Sequence, residues 1–377
     1  MPNLLLDIIG EILSRLPVKS LLRFRCVSQD WRCLISDSFF KTLYNNLSTE
    51  KNPSSLVITD RTNFYTVEDN SCHKLDIPFL NSTELLGNWW REIKVLGLCN
   101  GLLCFSFSDA NGGYQYRDCI YLLNPATREL KKLPHIPFEI FRYHSPRVGF
   151  GFDPMSKDYK VVMIVYYDDY RTEFMIIQSN VWVYSSNSDN WRKLGDDIPV
   201  AELDVQDSRT ATVINAAIHW MLYTSCSIFS FDLVHEVFRE LPQPPGNSGN
   251  SCYRHMAVMG RCLTVFFKHY KQNYSLIEMW VMKEYGVKES WTKQHIIVNY
   301  FGWEFKPIEF RNNEILFWHH DNKLVLYNSR SKTERNPGIH GLPITTFKAY
   351  SHNESLVTLK GLPTSSMVIG QKGKEED

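Results

Sequence analysis

Residues 120–134 read Ile120-Tyr-Leu-Leu-Asn-Pro-Ala-Thr-Arg-Glu-Leu-Lys-Lys-Leu-Pro134. Short runs of strand-forming residues lie on both sides of Asn124-Pro125. This dipeptide favours a type I turn, because proline presets a backbone angle of the turn and asparagine can accept hydrogen bonds from it. The segment therefore predicts a strand, a tight turn and a second strand.

The same plan returns four more times along the chain. The further hairpins are predicted in residues 181–194, 228–242, 279–291 and 324–334. If Asn124, Ser185, Asp232, Lys283 and Asn328 are the equivalent turn positions, the spacings between them are 61, 47, 51 and 45 residues. Repeats of about 40 to 50 residues are typical of four-stranded propeller blades.

A pair of inner strands is predicted before each of these hairpins. The predicted inner strands lie in residues 96–105, 148–154, 159–165, 212–221 and 308–317. Four or more strands per unit, repeated five times or more, predict a mainly β chain whose C-terminal part is a β-propeller-like domain of six to eight blades. Residues 51–80 and 342–361 would complete or close the ring. A two-sheet sandwich is the alternative fold.

The first 45 residues have helical periodicity instead. The apolar positions of the first predicted helix are Leu4, Ile8, Ile9, Ile12, Leu13 and Leu16, which fall on one face. Asn3 is its expected N-cap, and Pro17 is expected to stop it. A second helix is predicted from about Ser20, and Ser28 can cap a third. Because about 40 residues rarely bury enough area to be stable alone, we expect this unit to dock on a partner.

Two other interpretations of this segment compete with a docking unit. An apolar N-terminal helix is also typical of a secretory signal, but Asp7, Glu11 and Arg15 interrupt this one and no small-residue cleavage site follows. The helices could also cap the downstream domain of the same chain without any external partner.

Composition narrows the class of protein. A chain of 377 residues is long enough for one small and one large domain. Lysine plus arginine equals aspartate plus glutamate at 41 each, so no overall charge favours binding to nucleic acid or to an anionic membrane. No apolar run reaches the length of a membrane-spanning helix. Nine cysteines without zinc-ligand spacing indicate reduced thiols in an intracellular protein, and no metal or other cofactor is expected.

The N-terminal helices resemble a known motif. Residues Glu11-Ile-Leu-Ser-Arg-Leu-Pro-Val-Lys-Ser-Leu-Leu-Arg-Phe-Arg-Cys-Val-Ser28, with Trp31 and Leu34-Ile35 after them, closely resemble the F-box of plant F-box proteins. The resemblance implies helices that bind a Skp-type adaptor, which connects to the cullin and RING subunits of an SCF ubiquitin ligase. The implied adaptor-binding residues, some of which would hold the helices in place, are Ile8, Ile12, Leu13, Leu16, Pro17, Leu21, Leu22, Val27, Trp31, Leu34 and Ile35. This chain has Leu4-Leu5 where the family usually has Leu-Pro.

The repeats carry a second resemblance. The segments Leu98-Cys-Asn-Gly-Leu-Leu-Cys104, Leu123-Asn-Pro-Ala-Thr-Arg128, Gly149-Phe-Gly-Phe-Asp153 and Asp158-Tyr-Lys-Val-Val162 are similar to the kelch-like F-box-associated domain of plant F-box proteins. The resemblance implies an F-box in residues 1–45, a target-binding domain in residues 46–365 and a polar tail in residues 366–377.

One branch of this family is most similar. Residues 280–291, with Asn312 to Leu316 and Gly341 to Pro343, most resemble the S-locus F-box proteins. That branch implies a pollen receptor that recognises non-self style ribonucleases (S-RNases) in self-incompatibility and directs them to ubiquitination. It also implies a cytoplasmic protein, in the cytosol of the pollen tube, with the nucleus as a second compartment. An F-box receptor for an unrelated or glycosylated target is the alternative.

The large domain also contains polar groups that an enzyme could use. The candidates are His219, His319, His320, Asp168, Asp169, Cys99 and Cys104. His219 alternates with apolar residues and is expected to be a hydrogen-bonded structural side chain, and adjacent histidines on a strand point to opposite faces. No nucleophile, metal-binding or phosphate-loop motif accompanies them. We therefore predict a non-catalytic receptor whose contribution is proximity; a carbohydrate-binding F-box protein and a propeller enzyme are the competing classes.

Long connections between strands are the expected target-binding elements. The longest predicted ones are residues 109–117, 166–180, 195–208, 243–253 and 299–305. One of them is strongly acidic, with Asp196, Asp197, Glu202, Asp204 and Asp207 and no basic residue in 196–207. Such a stretch is either a solvated edge or a surface that attracts a positively charged target. With Asp168, Asp169 and Tyr170, these five acids are the hypothesised target-binding residues.

Overall fold

Helices come first in the chain and strands follow. The computed structural model describes residues 4–37, 39–41, 43–44, 55–77, 91–109, 120–135, 146–169, 176–195, 211–222, 227–245, 253–270, 275–298, 305–311, 313–319 and 322–359. Helix α1 spans Leu4–Leu13, α2 spans Val18–Phe24 and α3 spans Gln29–Ser36. The chain is helical again at residues 39–41 and 43–44. We call residues 4–44 the helical unit.

Antiparallel four-stranded sheets form the rest of the described chain. The first sheet contains β1 (Ser55–Thr59), β2 (Phe64–Glu68) and β3 (Ser71–Lys74). The second contains β4 (Arg91–Cys99), β5 (Leu102–Asp109), β6 (Tyr121–Asn124) and β7 (Glu129–Lys132). The third contains β8 (Arg147–Asp153), β9 (Asp158–Asp169), β10 (Ile176–Ser185) and β11 (Asn190–Lys193).

Three more sheets follow in the same order. The fourth contains β12 (Thr212–Ile214), β13 (Ala217–Met221), β14 (Ile228–Asp232) and β15 (Phe238–Leu241). The fifth contains β16 (Tyr253–Met259), β17 (Cys262–Tyr270), β18 (Ser275–Met282) and β19 (Trp291–Val298), with a short 3-10 helix at Lys288–Ser290. The sixth contains β20 (Phe305–Arg311), β21 (Glu314–His319), β22 (Lys323–Asn328) and β23 (Thr333–Arg335). The last strand, β24 (Lys348–His352), returns to the first sheet.

The six sheets are the blades of one ring. The first strands of successive blades, from β4 through β8, β12, β16 and β20 to β24, lie against one another. Strand β24 pairs with β1 from Ser55 opposite His352 to Thr59 opposite Lys348, so the end of the chain supplies the first strand of the first blade. The fold is therefore a six-bladed β-propeller, as the repeat predicted, and residues on both sides of the repeats close it.

Apolar side chains fill the spaces between neighbouring blades. Separate buried clusters lie at all six interfaces of the ring. At the closing interface, Leu56 and Ile58 of the first blade pack with Trp318 of the sixth. Because each blade buries both of its faces on neighbours, the blades are stable only as a ring.

The predicted turn positions are structurally equivalent. Asn124, Ser185, Asp232 and Asn328 each end the third strand of a blade, and Lys283 follows the third strand of the fifth blade. At Asn124, Asp232 and Asn328, the side-chain oxygen accepts hydrogen bonds of 2.9 to 3.3 Å from the backbone N–H groups two and three residues later. Because these hydrogen bonds join residues that are close in sequence, the turn positions of the repeat could be recognised from the sequence.

A buried cation joins the third blade to the fourth. The Lys160 Nζ atom lies 2.9 Å from the Asp153 carboxylate, 2.9 Å from the Glu236 carboxylate and 2.6 Å from the Leu233 carbonyl oxygen. These partners satisfy all three ammonium hydrogens, which offsets much of the cost of burying the charge. Asp153 and Lys160 belong to the family-like segments, so those segments mark structural contacts.

Several boundaries differ from the predictions. Residues 166–169 and 176–180, expected in a loop, belong to β9 and β10, which stay paired out to Asp169 and Ile176. Helix α2 begins at Val18 rather than near Ser20, and it ends at Phe24. The inner pair expected before the fifth-blade hairpin is β16 and β17. The Asn3 cap and the polar tail lie outside the described residues. Within the described part, no helix is long and apolar enough to cross a membrane.

Candidate functional site

Local capping shapes the helical unit. The Ser14 hydroxyl donates to the Glu11 carbonyl (2.8 Å) in the turn that follows α1, and Pro17 sits in an extended conformation at the start of α2. The Ser28 hydroxyl accepts a hydrogen bond from the Trp31 N–H at 3.1 Å and caps α3. The predicted cap at Ser28 is therefore confirmed, whereas α1 ends at Leu13, four residues before the predicted stop at Pro17.

One side of the helical unit is a shared core with the propeller. Its buried side chains are Leu13, Val18, Leu21, Ile35, Phe40 and Tyr44. Leu356, which follows the closing strand β24, belongs to the same cluster, and Ala126 of the second blade packs against it. The propeller therefore covers one face of helices that could not bury that face alone.

The other side of the helical unit stays open. Ile8 and Ile12 are 48% and 57% exposed, Val27 is 63% exposed, and Phe39 and Leu43 are 77% and 37% exposed. Ile8 and Ile12 are four residues apart, as are Phe39 and Leu43, so the members of each pair share a helix face. We call these five side chains the outer apolar surface. Large apolar side chains left exposed on a small helical unit are typical of a protein interaction site.

The implied adaptor-binding residues fall into three groups. Ile8, Ile12, Pro17 and Val27 are exposed; Leu16, Leu22, Trp31 and Leu34 are half-buried; Leu13, Leu21 and Ile35 are buried. The buried group holds the helices together, and only the first two groups can contact a partner without unfolding. Their role in adaptor binding stays a prediction.

Sequence reasoning missed Phe39 and Leu43. The signal was present, because residues 39, 40, 43 and 44 are all large and apolar at helical spacing. The structure buries Phe40 and Tyr44 and leaves Phe39 and Leu43 exposed. A periodicity argument extended from Ile35 to Leu43 would have added both to the candidate surface.

A short segment after β24 joins the helical unit to the ring. Residues 353–359, which we call the C-terminal strap, are held by the Asn124 amide, which donates to the carbonyl oxygens of Ser355 (3.0 Å) and Val357 (2.7 Å). The Glu129 carboxylate accepts from the Leu359 N–H at 2.6 Å. On its other side, the Glu354 carboxylate accepts from the Val18 N–H of α2 at 3.1 Å. The strap therefore links ring closure to docking of the helical unit.

Burial sets the electrostatics of this junction. Burial raises the pKa of the Glu354 carboxyl, and the nearby Glu68 carboxylate raises it further. Burial lowers the pKa of Lys41, and Arg25 adds to the effect. Lys19 and Glu68 form an ion pair at 2.8 Å, but both side chains are well exposed, so the pair contributes little stability.

The helical unit occupies the face of the ring that carries the tight turns. Its contact Ala126 lies in the turn between β6 and β7, and the strap crosses the Asn100-Gly101 turn between β4 and β5. The five long predicted connections join second to third strands, or fourth strands to the next blade. Strands alternate in direction within a blade. The strand ends that flank all five connections therefore lie at the face of the ring opposite the tight turns and the helical unit.

The hypothesised target-binding residues are only partly described. Asp168 and Asp169 lie on the last two positions of β9. Tyr170, Asp196, Asp197, Glu202, Asp204 and Asp207 lie outside the described residues. The target-binding hypothesis therefore stays a prediction.

The described candidate catalytic groups are spread over four blades of the ring, and His320 lies outside the described residues. His219 is fully buried, with its Nδ1 atom 3.1 Å from the Thr212 carbonyl oxygen and its Nε2 atom 2.7 Å from the Tyr285 hydroxyl. Burial raises the pKa of the Cys99 thiol to about 12 and that of Cys104 as well, which removes the thiolate needed for nucleophilic chemistry. Both cysteines flank the predicted Asn100-Gly101 turn. Among the described residues, no three His, Cys, Asp or Glu side chains cluster as metal ligands.

Two buried histidines predict acid sensitivity. Burial lowers the pKa of His219 and of His352 to about 4. The unfolded chain therefore binds protons on these side chains below about pH 6.5, while the folded chain does so only near pH 4. Stability should be fully present above pH 6.5 and fall as the pH drops toward 4, by on the order of 3 kcal/mol per histidine.

Urea unfolding between pH 7.5 and 4.5 measures this loss of stability. In each of the variants His219→Gln and His352→Gln, the free energy of unfolding should depend less steeply on pH. Asp153, whose pKa is lowered to about 2 by hydrogen bonds that outweigh its burial, loses its contribution only below about pH 4 and does not confound this window. An unchanged slope in both variants would contradict the assignment.

Comparison with known proteins identifies the domains. Residues 1–43 match the model of the F-box domain, and residues 55–358 match that of the F-box associated beta propeller domain. Among solved structures, the β-propeller domain of the Trilobed protease from Pyrococcus furiosus is 13% identical, covers 66% of this chain and 72% of that chain, and has a TM-score of 0.35.

Similar curated proteins come from Arabidopsis thaliana. F-box/kelch-repeat protein At3g23880 is 30% identical over 77% of this chain and 78% of its own length. F-box protein At3g07870 is 29% identical over 89% of this chain and 88% of its own, and F-box protein CPR1 is 24% identical over 99% and 90%. The chain belongs to the plant F-box proteins in which an F-box domain is followed by an F-box associated β-propeller domain.

Proposed function

We propose that this chain is a substrate receptor of an SCF ubiquitin ligase. It binds a Skp-type adaptor, and through it the cullin and RING subunits, with the outer apolar surface of the helical unit. The observation that carries the proposal is the exposure of Ile8, Ile12, Val27, Phe39 and Leu43 on a unit whose other face is covered by the propeller. If each of these side chains contributes about 1.5 to 3 kcal/mol on burial, they support a specific interface after association costs are met.

In this proposal, the adaptor and the target bind at opposite faces of the ring. The helical unit and strap lie on the turn face, while the long connections leave from strand ends on the opposite face. A target held at the connections is kept at a fixed position relative to the ligase subunits. The chain then acts by proximity and orientation, and the bond-forming chemistry belongs to other subunits.

The target in this proposal is a non-self S-RNase in the pollen tube cytosol. Its support is the sequence similarity of residues 280–291 to the S-locus branch, together with the acidic stretch 196–207. Many style ribonucleases are positively charged, and opposite charge speeds encounter and favours the correct partner. Residues 280–291 form the end of β18, the following turn and the start of β19; the Trp291 Nε1–H donates to the Pro242 carbonyl oxygen (3.0 Å) and anchors this segment.

Reconstitution tests both levels of the proposal. The full chain is co-expressed with a Skp-type adaptor and a cullin, and purified style ribonucleases are then added at several salt concentrations. We expect co-elution with the adaptor, and ribonuclease binding that weakens with salt and weakens further when Asp196, Asp197, Glu202, Asp204 and Asp207 are neutralised. Failure to recover the adaptor would refute the receptor function. Adaptor recovery without ribonuclease binding would refute only the S-RNase target and favour another target class.

A further inference from the structure

A cavity lies at the junction between the helical unit and the propeller. Its volume is about 630 Å³, within the range of about 300 to 1,000 Å³ typical of small-molecule sites. One wall is α2, a second is the edge of the first blade, and the third is the turn of residues 125–128 in the second blade. Leu22, Leu75 and Pro125 give the cavity an apolar part.

The charged side chains of this cavity are unevenly balanced. Its cations are Lys19, Arg23, Lys74 and Arg128, beside the His73 imidazole, and its carboxylates are Glu68 and Glu354. Glu68 is already paired with Lys19 at 2.8 Å. The Glu354 carboxylate accepts a hydrogen bond from the Val18 N–H at 3.1 Å, and burial raises the pKa of its carboxyl group.

Three further cations of the cavity come from three different elements of the chain. Within the described residues, none of the ion pairs includes Arg23, Lys74 or Arg128. Arg23 comes from α2, Lys74 from the first blade and Arg128 from the second. Like charges brought together around one cavity repel each other, so an anion placed among them is favoured.

We propose that the junction cavity binds a small polyanion, of the class of phosphorylated metabolites, through Arg23, Lys74 and Arg128. The apolar part of the cavity receives the body of such a ligand, and the cations hold its phosphate groups by charge-assisted hydrogen bonds. Arg23 lines this cavity together with Lys74 and Arg128 of the propeller only when the helical unit is docked. The ligand therefore binds the docked arrangement selectively and stabilises it by linkage. None of the five side chains of the outer apolar surface lines this cavity, and the site does not depend on the identity of the target.

Calorimetric titration of the full chain with tripolyphosphate tests the site. We expect saturable binding at low salt that weakens as salt is added, and a rise in the thermal unfolding midpoint with ligand concentration. The triple variant Arg23→Gln, Lys74→Gln and Arg128→Gln should weaken binding by at least about tenfold. The control makes the same change in net charge at exposed cations that do not line this cavity: Arg61→Gln, Lys283→Gln and Arg330→Gln. Its affinity for tripolyphosphate should stay within about twofold of that of the unaltered chain.

The competing outcomes are distinguishable. Hydrogen exchange in α2 and in the C-terminal strap should slow when tripolyphosphate is added. If the triple variant folds poorly, the same measurement on the single variant Arg23→Gln tests the site. Absence of binding to the unaltered chain, or equal loss in the control, would overturn the proposal. Tighter binding after Glu375→Gln, Glu376→Gln and Asp377→Asn would show that the acidic end of the chain itself fills the cavity, and would overturn an external ligand. Loss of adaptor binding tests the proposed function separately, because neither Ile8 nor Ile12 lines the cavity.

Discussion

Replacing Ile12 by aspartate should abolish recovery of the Skp-type adaptor while leaving the propeller folded. Ile12 is 57% exposed on the outer face of α1, one turn from Ile8, which is 48% exposed. Burying an isoleucine at an interface contributes roughly 1.5 to 3 kcal/mol. An aspartate there would lose that contribution and leave an unpaired charge at the interface. The combined cost, on the order of 3 to 5 kcal/mol, corresponds to a loss of affinity of at least about a hundredfold.

Measured affinity for the purified adaptor, with circular dichroism as the check on folding, decides this prediction. The matched control is Met155→Asp, because Met155 is 78% exposed in a tight turn of the third blade. The control introduces the same charge on another exposed apolar side chain and should bind the adaptor normally. Full binding by Ile12→Asp would show that the outer apolar surface is not the adaptor site.

The choice of Ile12 over Leu21 matters for this experiment. A charged residue at Pro17 or Leu21 would also be expected to abolish binding on sequence grounds. Leu21 is completely buried in the core shared with Leu356. A charge there would unfold the helical unit, typically at a cost of several kcal/mol, and loss of binding would not identify the surface that touches the adaptor.

The propeller was predictable because its signals are local. Asn124, Asp232 and Asn328 each bond to backbone groups two and three residues away, so the turn signature is written in consecutive residues. The Asn100-Gly101 hairpin has positive φ at both positions, as this dipeptide favours. A turn between the third and fourth strands recurs once per blade, and the spacing of these turns was enough to indicate four-stranded units.

The number of blades and the orientation of the helices depend on distant contacts. Whether the ring closes at six is decided by β24 pairing with β1, nearly 300 residues away in sequence. Which apolar side chains of the helical unit face inward is decided by Leu356 and Ala126. Asn124 was predicted as a turn residue, and its amide also holds the strap, a contact that no local pattern reports. The strap and the junction cavity were therefore invisible to sequence reasoning.

Substituting Gly101 by alanine should loosen the junction between the two domains. Gly101 has a φ of +75°, and a Cβ atom there would lie 2.2 Å from the Ser355 Cβ and 2.6 Å from the Asn353 carbonyl oxygen. The His352 Nε2–H also donates to the Gly101 carbonyl oxygen at 3.0 Å. Alanine therefore pushes directly on the start of the C-terminal strap. Since Glu354 and Leu356 of the strap contact the helical unit, displacing the strap undermines docking.

Gly260→Ala is the matched control for this prediction. Gly260 lies in the corresponding inner turn of the fifth blade and has a φ of +55°, but nothing lies within 4 Å of a Cβ added there. The control should cost about 1 kcal/mol from backbone strain alone. Gly101→Ala should cost about 2 to 4 kcal/mol, because overpacking adds to the strain. Urea unfolding measures both costs, and hydrogen exchange in α2 should accelerate only in Gly101→Ala. If α2 exchanges at the same rate in the two variants, the strap is not what holds the helical unit against the ring, and docking must depend on the direct contact with Ala126.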